Sequence, residues 1–299
     1  MEQHQLTALV RSARIPFLML TPVSIFLGVC TSFVSAGQIA FFDLFLVLLG
    51  AVFAHISVNT FNEYFDFRSG LDATTLKTPF SGGSGALLDH PEAVDRVLWL
   101  AIASLSITII VGFYFVFTSG ILIVPLGIAG VLIILTYTQW LNRYPFLCLV
   151  APGLGFGPLM VVGTHVVLTG GYSIQAFVAS LVPFFLANNL LLLNQYPDIA
   201  PDKRVGRRHF PIAFGVTTST LVYGAFVVAT CATIVTGAST QILPEASYLA
   251  LVPMTLALVV FFGALKHATS VGQLMPYLAM NVLVTVLTPI VLGMSIIPG

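Results

Sequence analysis

Long apolar runs, each about the length of a bilayer crossing, alternate with short polar connectors from near the start of the chain to its end. A transmembrane helix needs about 20 predominantly apolar residues. On that criterion the sequence predicts spans at 15–35, 41–61, 97–117, 121–140, 146–168, 174–196, 212–237, 247–265 and 273–297. The fourth and fifth are separated only by Leu141 to Pro145. The chain opens MEQHQLTALVRSARIP and then turns apolar, as a signal peptide would. The run is long and further spans follow it, so it reads as a retained first span. The expected fold class is all-α, an integral membrane bundle of nine transmembrane helices built from a single domain, 1–299.

Composition agrees with lipid as the solvent. Of 299 residues 58% are hydrophobic and 7% charged, and mean hydropathy is +1.01. Soluble domains carry roughly 25% charged residues. A soluble fold with so few charges could not cover its surface, a requirement the bilayer removes. Net charge is zero, which gives no reason to expect a nucleic-acid partner. Cys30, Cys148 and Cys231 are scattered without a CxxC pair or disulfide-framework spacing, and read as small buried apolar residues.

Where the charges sit changes the picture more than their sum. With nine spans and a cytoplasmic N-terminus, all 11 Lys and Arg fall on one side, while Asp43 and Glu245 fall on the other. The positive-inside rule then places the N-terminus in the cytoplasm. Most charge lies in two loops on that side, 63–96 and 198–208.

Those loops begin alike. The first reads Asn62-Glu63-Tyr64-Phe65-Asp66-Phe67-Arg68-Ser69-Gly70-Leu71-Asp72, the second Asn194-Gln195-Tyr196-Pro197-Asp198-Ile199-Ala200-Pro201-Asp202-Lys203. Both carry Asn-(Glu/Gln)-Tyr-x-Asp at the end of an even-numbered span, as an internal repeat of a functional element would. Residues i and i+4 share a helix face. Asn62 and Asp66 are therefore neighbours, as are Asn194, Asp198 and Asp202 if the helix continues past Pro197 and Pro201. Gly70 is placed to end the first helix, with Asp72 returning from the loop. A solvated cap has no need of the repeated Asn and Tyr; Asp89, Glu92 and Asp95, which lack that setting, read as solvated charges.

Carboxylates gathered at the mouth of a low-dielectric bundle stay ionised only beside cations. An all-oxygen donor set without His or Cys favours Mg²⁺ or Mn²⁺, and Mg²⁺ takes one or two carboxylates and completes its shell with water and phosphate oxygens. Two facing motifs thus suit two ions bridged by a diphosphate, with Asn62, Asp66, Asp72, Asn194, Asp198 and Asp202 as candidate ligands. Lys77, Lys203, Arg204, Arg207 and Arg208 are available to neutralise the phosphates.

At these residues the chain resembles the UbiA superfamily of intramembrane prenyltransferases, nine-helix bundles with an NDxxDxxxD-like motif after the second helix and a DxxxD motif after the sixth. The resemblance runs the length of the chain by span count and motif position. Asn62, Asp66 and Asp72 follow the form of the naphthoate-prenylating branch, and Asp198 and Asp202 followed by Gly206-Arg207 the second motif. Tyr137, Tyr144-Pro145, Gly153-Leu154-Gly155 and Thr169-Gly170 also look like that branch. Glu63 departs from the usual Asp, Gln195-Tyr196-Pro197 from a segment bearing Asn or Arg, and Phe156 from a Glu near the acceptor side. The resemblance implies Mg²⁺-dependent transfer from an allylic prenyl diphosphate to an aromatic acceptor, such as the quinone precursor dihydroxynaphthoate. It implies catalytic roles for Asp66, Asp72, Asp198 and Asp202. Substrate contacts are expected from Asn62, Arg68, Lys77, Tyr137, Asn194, Tyr196, Lys203, Arg204, Arg207 and Arg208. The setting would be the cell membrane, with the site at its cytoplasmic face. Two rival readings are a membrane terpene cyclase, which uses no acceptor, and a secondary transporter, whose polar residues usually lie near the bilayer midplane.

Three weaker signals remain. Ser81-Gly82-Gly83-Ser84-Gly85 lacks the GK[ST] ending of a P-loop, and reads either as a flexible linker or as a loop whose N–H groups reach a phosphate or close over the site. His55 and His165 fall inside spans, where a neutral hydrogen-bonded His and a functional group are the two readings. His209, after the second motif, reads as interfacial.

Overall fold

The computed structural model describes residues 2–297, and these are helical, with no strand among them. A short helix, α1 (Glu2–Ser12), precedes the apolar segments. Eight helical segments are long and apolar enough to cross a membrane: Ile15–Ala36, Phe41–Arg68, Pro91–Thr118, Pro145–Thr169, Ile174–Asn194, Phe210–Ser239, Glu245–His267 and Val271–Ile296. They are built on α2 (Leu20–Ala36), α3 (Phe41–Arg68), α5 (Val94–Thr118), α7 and α8 (Pro145–Leu154, Gly163–Thr169), α9 (Ile174–Asn194), α11 (Phe210–Ser239), α12 (Leu251–His267) and α13 (Val271–Ile296).

The fourth expected span is shorter than the sequence suggested. It is the apolar helix Ile121–Thr136, which contains α6 (Val124–Thr136). It nevertheless runs the depth of the bundle. Ile123 packs with Val47, Val111 and Phe115, whereas the Thr138 hydroxyl, just past its other end, lies 3.5 Å from the Asn62 amide. Polar residues from Thr136 onward end it: Asn142 donates its amide to the Thr138 carbonyl, and Tyr144 is extended ahead of Pro145.

Span five is not a regular helix. Between α7 and α8 the backbone opens into a π-helix, Gly155–Val162, flanked and interrupted by Pro152 and Pro158, which have no N–H to give. Glycines let this span approach its neighbour: a β-carbon on Gly157 would sit 2.5 Å from the Ser180 carbonyl oxygen of α9. Close small-residue contacts of this kind replace the hydrophobic drive that lipid removes.

The largest core joins the second half of the chain, with Leu186, Leu193, Tyr223, Ile234, Leu274 and Leu292 at its centre. Three buried polar residues there are linked: Tyr223 donates to Asn281 Oδ1 (3.0 Å), and Asn189 Nδ2 to the Tyr223 carbonyl (3.1 Å). Across the first half, α3 and α5 are locked antiparallel by Ser57 to the Ala101 carbonyl and Thr108 to the Gly50 carbonyl. Both acidic motifs lie at the same end of the bundle. There α1 and α4 (Ala86–Asp89) lie across it, packing Ala8, Leu87 and Val97 together.

Candidate active site

Helix α3 ends where the sequence placed the break. Gly70 takes φ +75°, the Leu71 N–H returns to the Asp66 carbonyl (3.0 Å), and Asp72 folds back, buried. The second motif differs from the continuous-helix expectation. Helix α9 stops at Asn194, residues 195–198 form a turn, and α10 (Ile199–Arg204) starts afresh after Asp198. Pro197 cannot donate the N–H a continuing helix requires, so Asn194, Asp198 and Asp202 are brought together by a turn instead of a helix face.

Both motifs open onto one cavity of about 720 Å³. Asn62, Asp66, Asp72, Asn194, Asp198 and Asp202 all line its mouth, together with Arg14, Arg207, His209 and the Ser81-Gly82-Gly83 stretch. Deeper walls are apolar, from Val47, Val111, Phe115, Leu126, Leu159 and Val167. Tyr137 also lines it. Tyr196 does not: its hydroxyl is tied to Thr220 (2.8 Å) and the Val216 carbonyl (3.2 Å), which fixes the turn. Arg68, Lys77, Lys203, Arg204 and Arg208 are exposed and are not among the cavity walls. Only Arg207 of the anticipated basic residues reaches inside.

Arg207 joins the two motifs. It pairs with Asp66 Oδ1 through Nη2 and with Asp202 Oδ1 through Nη1 (3.0 Å). The other Asp202 oxygen meets His209 Nε2 at 3.0 Å. His209 is buried. A second link is Glu63, fully buried, which accepts from Arg14 Nε (2.8 Å), the Ser84 N–H (2.7 Å) and the Ser84 hydroxyl (2.6 Å). Arg14 also donates to Asn62 Oδ1 at 3.1 Å.

The glycine-rich loop is a built part of the site. Gly82 donates its N–H to Asp198 Oδ2 at 3.2 Å, while Ser84 serves Glu63, so the loop stitches one motif to the other. Gly83 has φ +69°, and a β-carbon there would lie 2.8 Å from Asp72 Oδ1. These hydrogen bonds to both motifs are not those of a free linker. Arg14, Ser84 and the clamping role of Glu63 were not legible in the sequence; the two arginines ahead of the first span, Arg11 and Arg14, were the one available signal.

Burial sets the charge state of the loop carboxylates. Asp72 is pushed up to about 7 by burial and then by the negative charges of Glu63 and Asp66. Asp198 is likewise pushed up to about 7, by burial and then by Asp202. Several oxygens have no protein partner: Asp72 Oδ2, Asp198 Oδ1 and Asn194 Oδ1. An unpaired, all-oxygen donor set contributed by both motifs fits a hard divalent cation of the Mg²⁺ type. The side chains do not stand as a finished cage. Among the described residues no three His, Cys, Asp or Glu are gathered closely enough to hold an ion, and Arg207 pairs with both Asp66 and Asp202.

The intramembrane histidines are hydrogen-bonded. His55 Nδ1 meets the Thr21 hydroxyl (2.8 Å) and His165 Nδ1 the Thr31 hydroxyl (3.0 Å). His55 lines the cavity edge-to-face with Phe156, their ring centroids 5.0 Å apart. The departure at Phe156 therefore bears on the cavity wall, away from the carboxylate mouth.

Two acidic motifs thus stand at one end of a deep apolar cavity in a helical membrane bundle, the arrangement of an intramembrane enzyme. The chain belongs to the UbiA prenyltransferase family, whose model matches residues 21–283. It is 31% identical over 191 residues to the 1,4-dihydroxy-2-naphthoate octaprenyltransferase of Bacillus subtilis, a match spanning 62% of this chain and 60% of that protein, less than two thirds of its length. It is 26% identical over 241 residues to the Haemophilus influenzae protein of the same name, covering 73% of this chain and 76% of that one. Among solved structures the fold matches that of a digeranylgeranylglyceryl phosphate synthase (TM-score 0.69, 14% identity, 99% of each chain). It also matches a UbiA homolog from Archaeoglobus fulgidus bound to GPP and Mg²⁺ (TM-score 0.61, 15% identity, 96% of this chain and 99% of that one).

Proposed function

We propose that the protein transfers a prenyl group from an allylic prenyl diphosphate to an aromatic acceptor of the dihydroxynaphthoate type, with Mg²⁺, at the cytoplasmic face of the cell membrane. The observation that carries this is the convergence of two motifs, distant in sequence, on the polar end of one long apolar cavity. The relatives named as dihydroxynaphthoate octaprenyltransferases support the acceptor class. The segregation of every Lys and Arg supports nine crossings with the N-terminus inside.

Asn62, Asp66, Asp72, Asn194, Asp198 and Asp202 would hold the metal, two ions in this reading, which supplies the positive charge that stabilises a leaving diphosphate. Arg207 and Arg14 add fixed positive charge at the mouth. The Gly82–Ser84 loop, anchored to both motifs, positions the carboxylates and covers them. Apolar walls below the mouth exclude water, so that the allylic carbon, its C–O bond broken with the electron pair leaving on the diphosphate, is captured by the acceptor ring and not hydrolysed; the attacked ring carbon then gives up its proton or carboxyl group.

The test is turnover of purified protein in lipid nanodiscs with a prenyl diphosphate, dihydroxynaphthoate and Mg²⁺, the products followed by mass. Prenylated naphthoate and equimolar diphosphate are expected, and excess chelator should abolish both. Diphosphate released equally without acceptor would point to a cyclase. Full activity in chelator would remove the metal from the reading.

A further inference from the structure

Along α3 a polar strip runs from the mouth into the apolar part of the cavity. Asn62, Asn59 and His55 recur at the spacing of one helix face and all line the cavity, Asn59 and His55 about 4.5 Å and 10.5 Å deeper than Asn62 at 1.5 Å per residue. His55 is only 6% exposed. Across from it stands the π-helix of span five, which contributes Gly155, Phe156 and Leu159 to the cavity wall. Turns of π-helix recur at functional sites. Phe156 meets the His55 ring edge-to-face and offers it no oxygen.

Hydrogen bonding fixes which nitrogen of His55 carries the proton. Thr21 is wholly buried, and among the described residues its hydroxyl has no partner except His55 Nδ1. Were Nδ1 the donor, the hydroxyl hydrogen would be buried unpaired, which is the costlier arrangement. Thr21 therefore donates to Nδ1, and the imidazole hydrogen sits on Nε2, for which no described residue supplies an acceptor. His165 is the opposite case. Its partner Thr31 gives its hydrogen to the Gly28 carbonyl (2.8 Å), so His165 donates through Nδ1, and it is not among the cavity walls. Asn59 gives an amide hydrogen to the Ala13 carbonyl (3.0 Å) and leaves Oδ1 without a partner among the described residues.

The strip thus offers a hydrogen-bond acceptor at Asn59 and, a turn deeper, a donor at His55, beneath the Arg14 guanidinium that holds Asn62. We infer that this strip is the subsite of the aromatic acceptor and selects a ring with oxygens on opposite carbons. The ring's carboxylate lies toward Arg14, the adjacent hydroxyl donates to Asn59 Oδ1, and the far oxygen accepts from His55 Nε2–H. This rests on the proposed function and specifies the contacts behind its acceptor. Phe156 belongs to the same device: an acidic side chain there would take the His55 hydrogen for itself, whereas the phenyl ring leaves it to the ligand and gives the bound ring an aromatic wall.

The deep end of the strip can be erased without orphaning a buried group. In Thr21→Val/His55→Leu both ends of the hydrogen bond go together, a change of the kind that is nearly neutral for folding. Equilibrium binding is measured in nanodiscs with Mg²⁺ and the unreactive thiodiphosphate analogue of geranyl diphosphate. The parent protein should bind 1,4-dihydroxy-2-naphthoate at least roughly tenfold tighter than 1-hydroxy-2-naphthoate, which lacks the oxygen assigned to His55. The double variant should lose that preference while its affinity for the geranyl analogue stays within about twofold. His55→Gln, whose carbonyl can accept from Thr21 while its N–H faces the cavity, should recover part of the preference. A merely structural His55 would weaken both naphthoates and the donor analogue together and leave the ratio unchanged. No preference in the parent, or a preference that survives in the double variant, overturns the subsite; prenylated product from the parent in either case leaves the proposed function standing. A preference that the double variant loses, in a protein that forms no product from the reactive donor, keeps the subsite and removes the transfer chemistry.

Discussion

Glu63 occupies a motif position that its family usually fills with Asp, and the longer side chain explains its use. Fully buried, it takes Arg14 from the N-terminal segment and two hydrogen bonds from Ser84 in the glycine-rich loop. It is a clamp between chain segments, not a free ligand. Glu63→Ala should destabilise the protein by about 2–3 kcal/mol, below the ~3–5 of a wholly buried pair because Arg14 keeps some solvent contact. It should also raise KM for the diphosphate, as the loop loses its anchor; Glu63→Gln, which keeps an oxygen for Ser84, should recover part of both. Unchanged thermal stability and KM in Glu63→Ala would remove the clamp. The aspartates behave differently. Asp66→Ala and Asp198→Ala should each nearly abolish turnover, and the double variant should be little worse than either, since groups acting as a unit are not additive. Multiplying losses would mean two separate sites. Asp72 and Asp198 add a pH signature. With both pushed up to about 7, the folded protein binds more protons than the unfolded chain between about pH 4 and pH 7, so metal-free stability should fall across that window and level off above it. Mg²⁺ binding near pH 7 should then release protons, seen as a calorimetric enthalpy that varies with the buffer. A buffer-independent enthalpy would count against those two carboxylates as ligands.

At the scale of elements, what could be read in advance follows from local rules. Apolar length gave the eight long spans their places, and Gly70 its helix end, because those depend on a few neighbouring residues. Pro197 announced trouble for a continuous second motif but not its outcome, a turn and a new helix. Which basic residues enter the cavity was illegible. Lys203, Arg204 and Arg208 share charge and loop with Arg207, and Arg68 and Lys77 carry the same charge in the other loop, yet only the direction each loop takes in three dimensions separates them. Arg14 and Ser84 were missed for the same reason: their partner Glu63 is far away in sequence. The π-helix in span five and the shortness of α6 also leave no local signature beyond prolines and glycines. The glycine-rich loop shows how far an element can be tested alone. Gly83→Ala places a methyl against Asp72 in a left-handed backbone, so two penalties meet at one residue. Turnover should fall at least roughly tenfold, whereas Gly37→Ala, also left-handed but with open space around it, should reduce stability slightly and leave turnover intact. Equal activities in the two variants would show that the loop carries no catalytic geometry.

For the whole molecule the open quantity is how many times the chain crosses the bilayer. Eight segments qualify by length, and Ile121–Thr136 is the ninth. At 1.5 Å per residue it covers about 24 Å, less than the ~30 Å hydrocarbon core, a mismatch that local thinning or the flanking Tyr137–Asn142 segment makes up. Its two ends nevertheless lie at opposite ends of the bundle, one with Val47 and Phe115 and the other with Asn62. If it crosses, Ser69 after α3 and Ser239 at the end of α11 lie on opposite faces of the membrane; if it only dips in and returns, they lie on the same face. Both residues are exposed and neither touches the site. With native cysteines replaced, Ser69→Cys should react with a membrane-impermeant thiol reagent from the cytoplasmic side alone, and Ser239→Cys from the opposite side alone. Labelling of both from one side would leave eight crossings, break the segregation of the 11 basic residues, and detach the second half of the bundle from the orientation assigned to the first. The two motifs would then need another way to share one face, although the Arg207 link between Asp66 and Asp202 requires that they do. Opposite-side labelling is therefore the outcome that the positive-inside pattern and the Arg207 bridge, two unrelated observations, both demand.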